Sequence, residues 1–451
     1  MVKITRKPLF CVALGFLCAS SSAHVFGRTF TPTDEIIGNP GCGWEVSAGY
    51  YPQFRELCSI GAIYERVTWA QLEPEEGKYN WEPLEFAART AADAGIPFYF
   101  RIMCVNSFSG GPYDTPKWVF DKGAASHPGE PGRIEKVVPE FSDPVFLNAH
   151  RAFIRALAAK FDGDPRLGGL DIGSFGNFGE WHVAGIGCGT KYWERYSPSE
   201  RRPYAEMYAA SFTRAPLVAM TDDNETLGYL LSLGPAPRIG LRRDGVGSPW
   251  HFGRWIGKKP YDRIPRMAEV WKTQPIVFEF YCEAAKFAGK NWDIHSSVDW
   301  ILDNHASLVH VIPFDARQVR GDPAIMAEVR RIDRHVGARI VPEKATWTVD
   351  EDGRISVSLS GRNDGVAPII LDYQLVYEAR GADGKVIGRW VSSANPRCWL
   401  PGAFEVSDIL AADRPIPKDV RLTIRLESCG SRFRAFRFGV RECGEDGALE
   451  L

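Results

Sequence analysis

The sequence predicts an α/β protein, a (β/α)8 TIM barrel followed by a C-terminal antiparallel β-sandwich. Up to about residue 340, short apolar segments alternate with amphipathic segments whose apolar residues recur every three or four positions. Beyond that point, apolar and polar residues alternate around Asp-Gly turns, which is typical of antiparallel strands. The 451 residues suffice for a barrel of about 250 residues or more and a smaller domain.

Residues 1–23 have the pattern of a secretory signal peptide. Lys3, Arg6 and Lys7 precede an apolar stretch, and small residues follow it up to Ala23. We expect cleavage after Ala23 and a periplasmic or secreted protein, with a lipoprotein anchored at Cys18 as the less favoured alternative. No later segment has the ~18 consecutive apolar residues of a spanning helix, so no transmembrane segment is expected in the mature chain.

The predicted barrel spans residues 30–340 and contains eight strand candidates, most of them followed by a helix. The strands are expected at 36–44, 60–69, 96–104, 167–174, 216–221, 238–243, 275–280 and 308–314. Helices are expected at 81–95, 143–163, 199–212, 263–274, 296–306 and 322–337. Several of these helices begin near Ser or Asp and stop at Gly, the residues that cap helices.

The β-sandwich is expected over residues 341–451. Three stretches, 346–365, 372–391 and 419–428, alternate apolar and polar residues and show no helical period. About one hundred residues of this pattern fit two packed antiparallel sheets.

Net charge and cysteine content narrow the functional classes. The formal net charge of −2 gives no reason to expect a nucleic-acid or anionic-membrane partner. Ten cysteines, eight of them beyond residue 23, predict disulfides in an exported protein. We expect Cys42 to pair with Cys58, and two of Cys398, Cys429 and Cys443 to pair. The oligomeric state is not indicated.

The candidate site residues follow from the barrel. Active sites of TIM barrels lie at the C-terminal ends of the strands, where this chain has several polar and aromatic residues. They are Trp44, Arg66, Trp69, Arg101, Asn177, Glu180, Trp181, His182, Arg242, Asp244, Trp250, Glu279 and Tyr281. Two carboxylates on different strands meet the needs of glycoside hydrolysis, in which one acid protonates the leaving oxygen and the other attacks the sugar or activates water.

Glu180, in the stretch IGSFGNFGEWH, is the expected general acid. Phe178, Trp181 and the apolar barrel wall would desolvate its carboxyl group, raising its pKa and retaining the proton. The competing interpretation is that Glu180 pairs with Arg66 or Arg101 and only stabilises the barrel mouth.

Glu279 follows an apolar strand and is the expected nucleophile, kept ionised by donors such as Arg66 and Tyr281. Glu283, four residues on, is the rival candidate. Either residue could instead be an ordinary loop carboxylate.

The other candidates are expected to bind carbohydrate. Trp44, Trp69, Trp181 and Trp250 offer indole faces on which a sugar ring can stack, although a single Trp is more often a packing residue. The polar candidates, His182 among them, are expected to hold sugar hydroxyls or to orient the nucleophile.

Neither a metal nor a cofactor is expected. Glu180 and His182 lie two positions apart, unlike the two His of an HExxH zinc motif, which share a helix face. No P-loop or GxGxxG motif opens a helix after a strand.

Several motifs resemble known bacterial proteins. Residues 64–102, with LEP and GKYNW, and DTPKWV at 114–119 resemble clan A retaining glycosidases of the family 42 β-galactosidase type. NPGCGW, GNFGEWH, LRRDGVGS and NDGVAPI resemble the domain-of-unknown-function 4832 proteins, a glycosidase-like barrel followed by a β-sandwich. The resemblance implies an acid/base Glu after strand four and a nucleophile after strand seven, matching Glu180 and Glu279. Gly179 stands where that pattern has Asn, and the nearest Asn is Asn177.

The resulting hypothesis is a secreted retaining glycoside hydrolase acting on an oligo- or polysaccharide. The alternative is a non-catalytic carbohydrate-binding or surface-assembly protein that keeps the barrel and lacks a working pair of acids.

Overall fold

A computed structural model describes residues 24–130, 135–189, 191–249, 264–282, 285–310, 320–411, 416–417, 420–430 and 432–451. The expected signal peptide, Trp250 and Glu283 lie outside these residues. Within the described ranges, no helix combines the length and the apolar character that crossing a membrane would require.

The described residues form strands and helices that alternate along most of the chain. In chain order, the strands are β1 (His24–Thr29), β2 (Gly43–Val46), β3 (Ile60–Thr68), β4 (Phe98–Met103), β5 (Ser126–Pro128), β6 (Val137–Pro139), β7 (Leu167–Asp171), β8 (Leu217–Met220), β9 (Ile239–Val246), β10 (Ile276–Phe280), β11 (Leu308–His310), β12 (Ile340–Val349), β13 (Ile355–Asn363), β14 (Tyr373–Arg380), β15 (Val386–Val391), β16 (Gly402–Leu410), β17 (Arg421–Ser428) and β18 (Leu449–Glu450). The α-helices are Tyr51–Phe54, Trp69–Leu72, Glu82–Ala94, Lys117–Asp121, Pro144–Phe161, Tyr192–Arg195, Pro198–Ser211, Asn224–Ser232, Ala285–Gly289, Ile294–Asp303 and Pro323–His335.

Eight parallel strands close into a barrel, which confirms the predicted barrel architecture. The order around the barrel is β2, β3, β4, β7, β8, β9, β10 and β11, and β11 pairs with β2 to close it. Each strand neighbours the next barrel strand along the chain, as right-handed crossovers through helices require.

The first barrel strand differs from the expectation. Residues 36–44 were expected to form it, and β2 instead begins at Gly43. Gly41 and Gly43 have left-handed φ angles of 74° and 86°, which interrupt an extended strand. Before them, the Asn39 side chain exchanges two hydrogen bonds with the backbone of Arg437, so this segment lies against the C-terminal part of the chain.

The helices form largely where capping residues predict them. Asp143 caps Pro144–Phe161 by accepting hydrogen bonds from two backbone N–H groups, and Asp322 caps Pro323–His335 in the same way. Glu82–Ala94 ends at Gly95 in the left-handed conformation. The expected helix at 263–274 is instead a 3-10 helix over Pro265–Lys272.

Two four-stranded antiparallel sheets occupy the C-terminal part. One has the order β1-β12-β13-β16 and the other β15-β14-β17-β18. Buried side chains from both sheets, such as Leu359 of β13 and Leu375 of β14, belong to one hydrophobic cluster. The sequence did not anticipate β1, which pairs antiparallel with β12 although the two are more than three hundred positions apart.

The cysteines of the expected pairs do not form disulfides in this structure. Cys42, Cys58, Cys398, Cys429 and Cys443 all carry free thiols. Burial raises the pKa of the Cys42 thiol to about 12, so this group is a neutral core side chain.

Trp69 lies between the barrel and its outer helices, fully buried. Its ring contacts Phe146, His150 and Phe153 of helix Pro144–Phe161, and its indole N–H donates to Glu73 at 2.8 Å. The indole therefore offers no face to a sugar, contrary to its predicted role, and serves to attach a helix to the barrel.

Truncating Trp69 should therefore destabilise the fold. We expect Trp69→Ala to lower the free energy of unfolding by about 3–5 kcal/mol, because it leaves a large cavity between barrel and helix. Urea unfolding followed by circular dichroism measures this change. Phe86→Ala, at a ring 48% exposed on helix Glu82–Ala94, is the control and should cost about 1 kcal/mol or less. Equal losses in the two variants would contradict the assigned role.

Candidate active site

Neighbouring strands bring polar side chains together at the C-terminal end of the barrel. Paired residues of parallel strands point to the same face, and the register sets Glu279 of β10 between Asp244 of β9 and His310 of β11. Across the barrel, Arg66 of β3 pairs with Arg101 of β4. The register alone thus places two acids, a histidine and two arginines at the barrel mouth.

Glu180 reaches the mouth on the loop after β7. Phe178 and Trp181 on this loop adopt left-handed φ angles of 57° and 61°, which are genuine outliers for bulky residues. Gly176 permits the tight turn, because a Cβ atom there would lie 2.3 Å from the carbonyl oxygen of His182. Such strain persists only where surrounding contacts enforce it, and it is concentrated at functional sites.

Three carboxyl groups meet in the mouth. One oxygen of each of Glu180, Asp244 and Glu279 lies within 4.8 Å of the other two. The two acids of retaining glycosidases are about 5–5.5 Å apart, whereas inverting enzymes need about 6.5–9.5 Å to admit a water. A separation of at most 4.8 Å between one oxygen of Glu180 and one oxygen of Glu279 is nearer to the retaining spacing than to the inverting one.

Arg242 links three acids from inside the barrel. Its Nε donates to Asp244 at 2.8 Å, its Nη1 to Glu45 at 2.7 Å and its Nη2 to Glu279 at 2.9 Å. Only 1% of this side chain is exposed. The sequence predicted substrate contact for Arg242, but its guanidinium lies below the acids and holds them.

Arg101 has the same role on the opposite wall. It donates to Asp171 at 2.8 Å, to Glu180 at 3.1 Å and to Asp244 at 3.0 Å, and none of its side chain is exposed. The Arg101 side chain is therefore enclosed and cannot contact a substrate in this structure. Arg66 opens to the cleft, with 27% of its side chain exposed, and lies 3.6 Å from Glu180 and 3.3 Å from Glu279.

The barrel mouth holds more carboxyl groups than guanidinium groups. The pKa values of two of its acids, Glu180 and Asp244, shift in opposite directions. Burial raises the pKa of Glu180, and the neighbouring charge of Asp244 raises it further. Burial alone would also raise the pKa of Asp244, but Arg242 and Arg101 hold it well below its usual value. The cluster therefore contains one acid that favours its proton and one that favours its charge.

His182 adjoins Glu180, the acid whose pKa is raised. Its Nε2 lies 3.4 Å from Oε2 of Glu180, whereas Arg66 and Arg101 approach Oε1. Burial opposes protonation of the imidazole, but the hydrogen bond to Glu180 and the nearby acids raise the pKa of His182. The imidazole in turn acts to lower the pKa of Glu180.

Trp44 and Trp181, predicted as sugar platforms, are buried and offer no stacking face. Each is 2% exposed. Trp44 packs against Phe280 in the barrel's outer layer, since strand alternation turns Glu45 inward instead. The Trp181 indole donates to the carbonyl of Ile172 at 2.7 Å.

Asn177 and Tyr281 also differ from the predicted contacts. The Asn177 side chain accepts from the backbone N–H of Ser107 at 3.1 Å and donates to its hydroxyl at 3.0 Å, so it joins two loops instead of facing the cleft. Tyr281 is 49% exposed and packs its ring against Trp292.

Sequence reasoning missed several members of the cluster. Glu45, Asp171 and His310 all point into the barrel, and the Tyr64 hydroxyl donates to Asp171 at 2.6 Å. The available signal was a single polar residue within a short apolar strand, as in GWEV and LVH, where a side-chain period of two marks the inward face.

The three acids also resemble a ligand set for a metal ion. Each of them, however, already accepts a hydrogen bond from a guanidinium group: Glu180 from Arg101, Asp244 from Arg101 and Arg242, and Glu279 from Arg242. A divalent cation would have to overcome repulsion from these fixed positive charges, so the donor set does not suit one.

A cavity of about 190 Å³ lies against the barrel wall, and Glu180, Asp244 and Glu279 do not line it. It lies between β9, β10 and the rings of Trp271 and His305, which stack at 3.6 Å. Arg243 lines it because this side chain points outward, opposite to its neighbours Arg242 and Asp244.

No protein-family model and no curated protein matches the chain. Among solved structures, it is similar to endo-glycoceramidase II from Rhodococcus sp. bound to a five-membered iminocyclitol, with 11% identity, TM-score 0.40, and coverage of 85% of this chain and 100% of that one. It is also similar to xylanase 10B from Thermotoga petrophila RKU-1 in complex with xylobiose, with 13% identity, TM-score 0.37, and coverage of 60% and 82%. The pairing of the eight parallel strands by itself defines the barrel.

The buried charge cluster makes stability depend on Arg101. We expect Arg101→Met to lower the free energy of unfolding by about 3–5 kcal/mol at pH 7, because buried carboxylates lose their cation. In the wild type, the depressed pKa of Asp244 gives stability that is present above its unfolded pKa of about 4 and is lost as the pH falls through the folded value. In the variant the acids take up protons more readily, so the deficit should shrink between pH 7 and pH 4.

Urea unfolding at both pH values measures this deficit. Arg389→Met removes an arginine from an exposed pair with Glu427 and is the matched control, expected to cost at most about 1 kcal/mol at either pH. A deficit for Arg101→Met that is the same at pH 7 and pH 4 would contradict the ionic explanation.

Proposed function

We propose that this protein is a retaining glycoside hydrolase in which Glu180 is the acid/base and Glu279 the nucleophile. The observation that carries the proposal is that one carboxylate oxygen of each lies within 4.8 Å of the other at the C-terminal end of a (β/α)8 barrel. The raised pKa of Glu180 supports its role as proton donor.

The proposed reaction has two steps. In the first, a Glu279 oxygen attacks the anomeric carbon, and the bond to the leaving oxygen breaks as that oxygen takes the proton of Glu180. In the second, Glu180 accepts a proton from water, whose oxygen attacks the same carbon and releases Glu279. Two inversions give net retention of configuration.

The neighbouring charges suit these two roles. Asp244 remains ionised between Arg101 and Arg242, so its negative charge favours the protonated form of Glu180. Arg242 and Arg66 donate to different oxygens of Glu279 and fix the orientation of its carboxylate.

A second candidate function is a carbohydrate-binding protein without turnover. The observation that favours it is that both oxygens of Glu279 already accept from arginines, at 2.9 Å from Arg242 and 3.3 Å from Arg66. These bonds compete with attack on a sugar and would suit a structural ion pair.

We propose that the enzyme is exported and that a β-sandwich follows its barrel. A signal peptide over residues 1–23 would deliver the enzyme to the periplasm or the medium, where polysaccharides are accessible. The two C-terminal antiparallel sheets would form a β-sandwich behind the barrel, as the hydrophobic cluster they share suggests.

Substituting the two acids separately tests their roles. Glu180→Gln should lower kcat/KM for disaccharides by about 10²–10⁴-fold, and kcat/KM for 2,4-dinitrophenyl glycosides much less, because dinitrophenolate leaves in the first step without protonation. The kcat should fall for both substrates, because the second step loses its base. Glu279→Gln should abolish both reactions. Initial rates over a panel of gluco, galacto, manno and xylo substrates, with proton NMR of the first-formed anomer, measure activity and retention.

Glu427→Gln, outside the barrel, is the control and should leave the rates unchanged. Undiminished disaccharide hydrolysis by Glu180→Gln would remove Glu180 as the acid. Saturable binding without turnover by the wild type would favour the binding-protein alternative.

The pH profile tests the contact between His182 and Glu180. Because His182 lowers the pKa of Glu180, His182→Leu should raise that pKa. Glu180 must be protonated to act as the acid, so the alkaline limb of the kcat/KM profile should move to higher pH and the acidic limb should stay in place. His295→Leu, at an exposed histidine on an outer helix, is the control. An alkaline limb that stays fixed or moves to lower pH would contradict this coupling.

A further inference from the structure

A row of aromatic rings runs from the surface to the proposed acid. The rings of Phe108 and Phe178 stack with their centroids 5.2 Å apart, and the Phe178 ring meets the His182 ring edge to face at 6.0 Å. His182 in turn lies 3.4 Å from Oε2 of Glu180. The two phenylalanines come from loops after different strands, β4 and β7, so the row is a product of the fold.

Neither phenylalanine occupies a favourable position for stability. Phe108 is 77% exposed, the highest fraction among the large apolar side chains of the described residues. Phe178 holds a left-handed backbone that an aromatic residue rarely adopts. A ring that is carried by a strained backbone and stacks on an exposed ring indicates a surface used for binding.

The loop that carries Phe108 is braced. Its backbone N–H donates to the Asn106 side chain at 2.9 Å, and the N–H of Asn106 donates to Asp114 at 2.7 Å. Asp114 also pairs with buried Lys136 at 3.1 Å.

The second loop is tied to the first. The Asn177 amide makes two hydrogen bonds to Ser107, which directly precedes Phe108. The rings are therefore held in place before a ligand arrives, which lowers the entropic cost of binding.

We propose that Phe108 and Phe178 form the subsite for the leaving group of the substrate, and that this group presents a flat apolar face to them. The inference rests on the proposed function, since it takes Glu180 as the acid. Two sources offer such a face: the C–H face of a second sugar ring, and an aryl aglycone.

The position of the rings assigns them to the leaving-group side. Oε1 of Glu180 faces Arg66, which bridges to Glu279 and so marks the side of the attacked carbon. Oε2 faces His182 and the aromatic row. The oxygen that Glu180 protonates carries the leaving group, so the group beyond it passes His182 and then reaches Phe178 and Phe108.

Equilibrium binding tests the subsite without catalysis. In the Glu279→Gln protein, which lacks the nucleophile, calorimetry compares three series built on glucose, galactose, mannose and xylose: methyl glycosides, 4-nitrophenyl glycosides and disaccharides. We expect the 4-nitrophenyl glycosides, the disaccharides or both to bind about five to ten times tighter than the methyl glycosides. Phe108→Ala in the same background should remove most of that preference, and Phe108→Trp should retain it.

Phe108→Ala should fold normally because the ring is largely exposed, and its thermal unfolding checks this. Phe86→Ala is the matched control and should keep the preference. Loss confined to the disaccharides identifies a sugar ring as the leaving group, and loss confined to the nitrophenyl glycosides identifies an aryl group.

Two outcomes would overturn the inference, and they are distinguishable. A preference that Phe108→Ala leaves intact overturns the aromatic subsite alone. No saturable binding of any of the three series overturns the proposed function and the subsite with it.

Discussion

The barrel mouth depends on one constraint, which is that buried acids and buried arginines must satisfy one another. Arg101 and Arg242 are almost completely enclosed, and most of their ion pairs connect different strands or loops. Burying such charges costs more than their attraction returns unless the geometry is nearly ideal, so hydrophobic residues of similar volume would give a more stable barrel. The cluster is therefore better explained by function than by stability.

This constraint also decides how much the sequence could predict. The eight strands and most helices follow from periodicity and caps, because those signals are local. The acids Glu180 and Glu279 were placed by the rule that barrel sites lie at strand ends. Glu45 and Asp171 were missed because their function depends on which face of a two-residue alternation points inward. That face is set by pairing with β3 and β4, which the local sequence does not contain.

The tryptophans also show how little the local sequence says about which way a side chain points. Trp44 and Trp69 stand beside polar strand ends in the sequence, yet both pack outward under helices. Apolar surface of that size is stabilising mainly when it is buried, so a large ring next to a strand end is more often a core residue than a sugar platform.

The side chain of Asn177 misses the cleft for a different reason. Left-handed residues on either side of it reverse the chain, so neighbours of Glu180 in sequence point away from it in space. β1 could not be foreseen because its partner lies at the far end of the chain.

The two proposed catalytic acids have different surroundings, and these surroundings suit each of them to a different role. Glu279 projects from a strand whose register is fixed on both sides, and two guanidinium groups donate to its two oxygens. Glu180 projects from a strained loop and shares its environment with the ionised Asp244. One of its oxygens faces Arg101 and Arg66, and the other faces His182 of its own loop. Exchanging the two positions would give each acid the surroundings that oppose its role. The strained loop also carries Phe178, so the backbone that places the acid places the aromatic ring beside it. A substitution that relaxes this loop should therefore alter proton donation and the aromatic surface together.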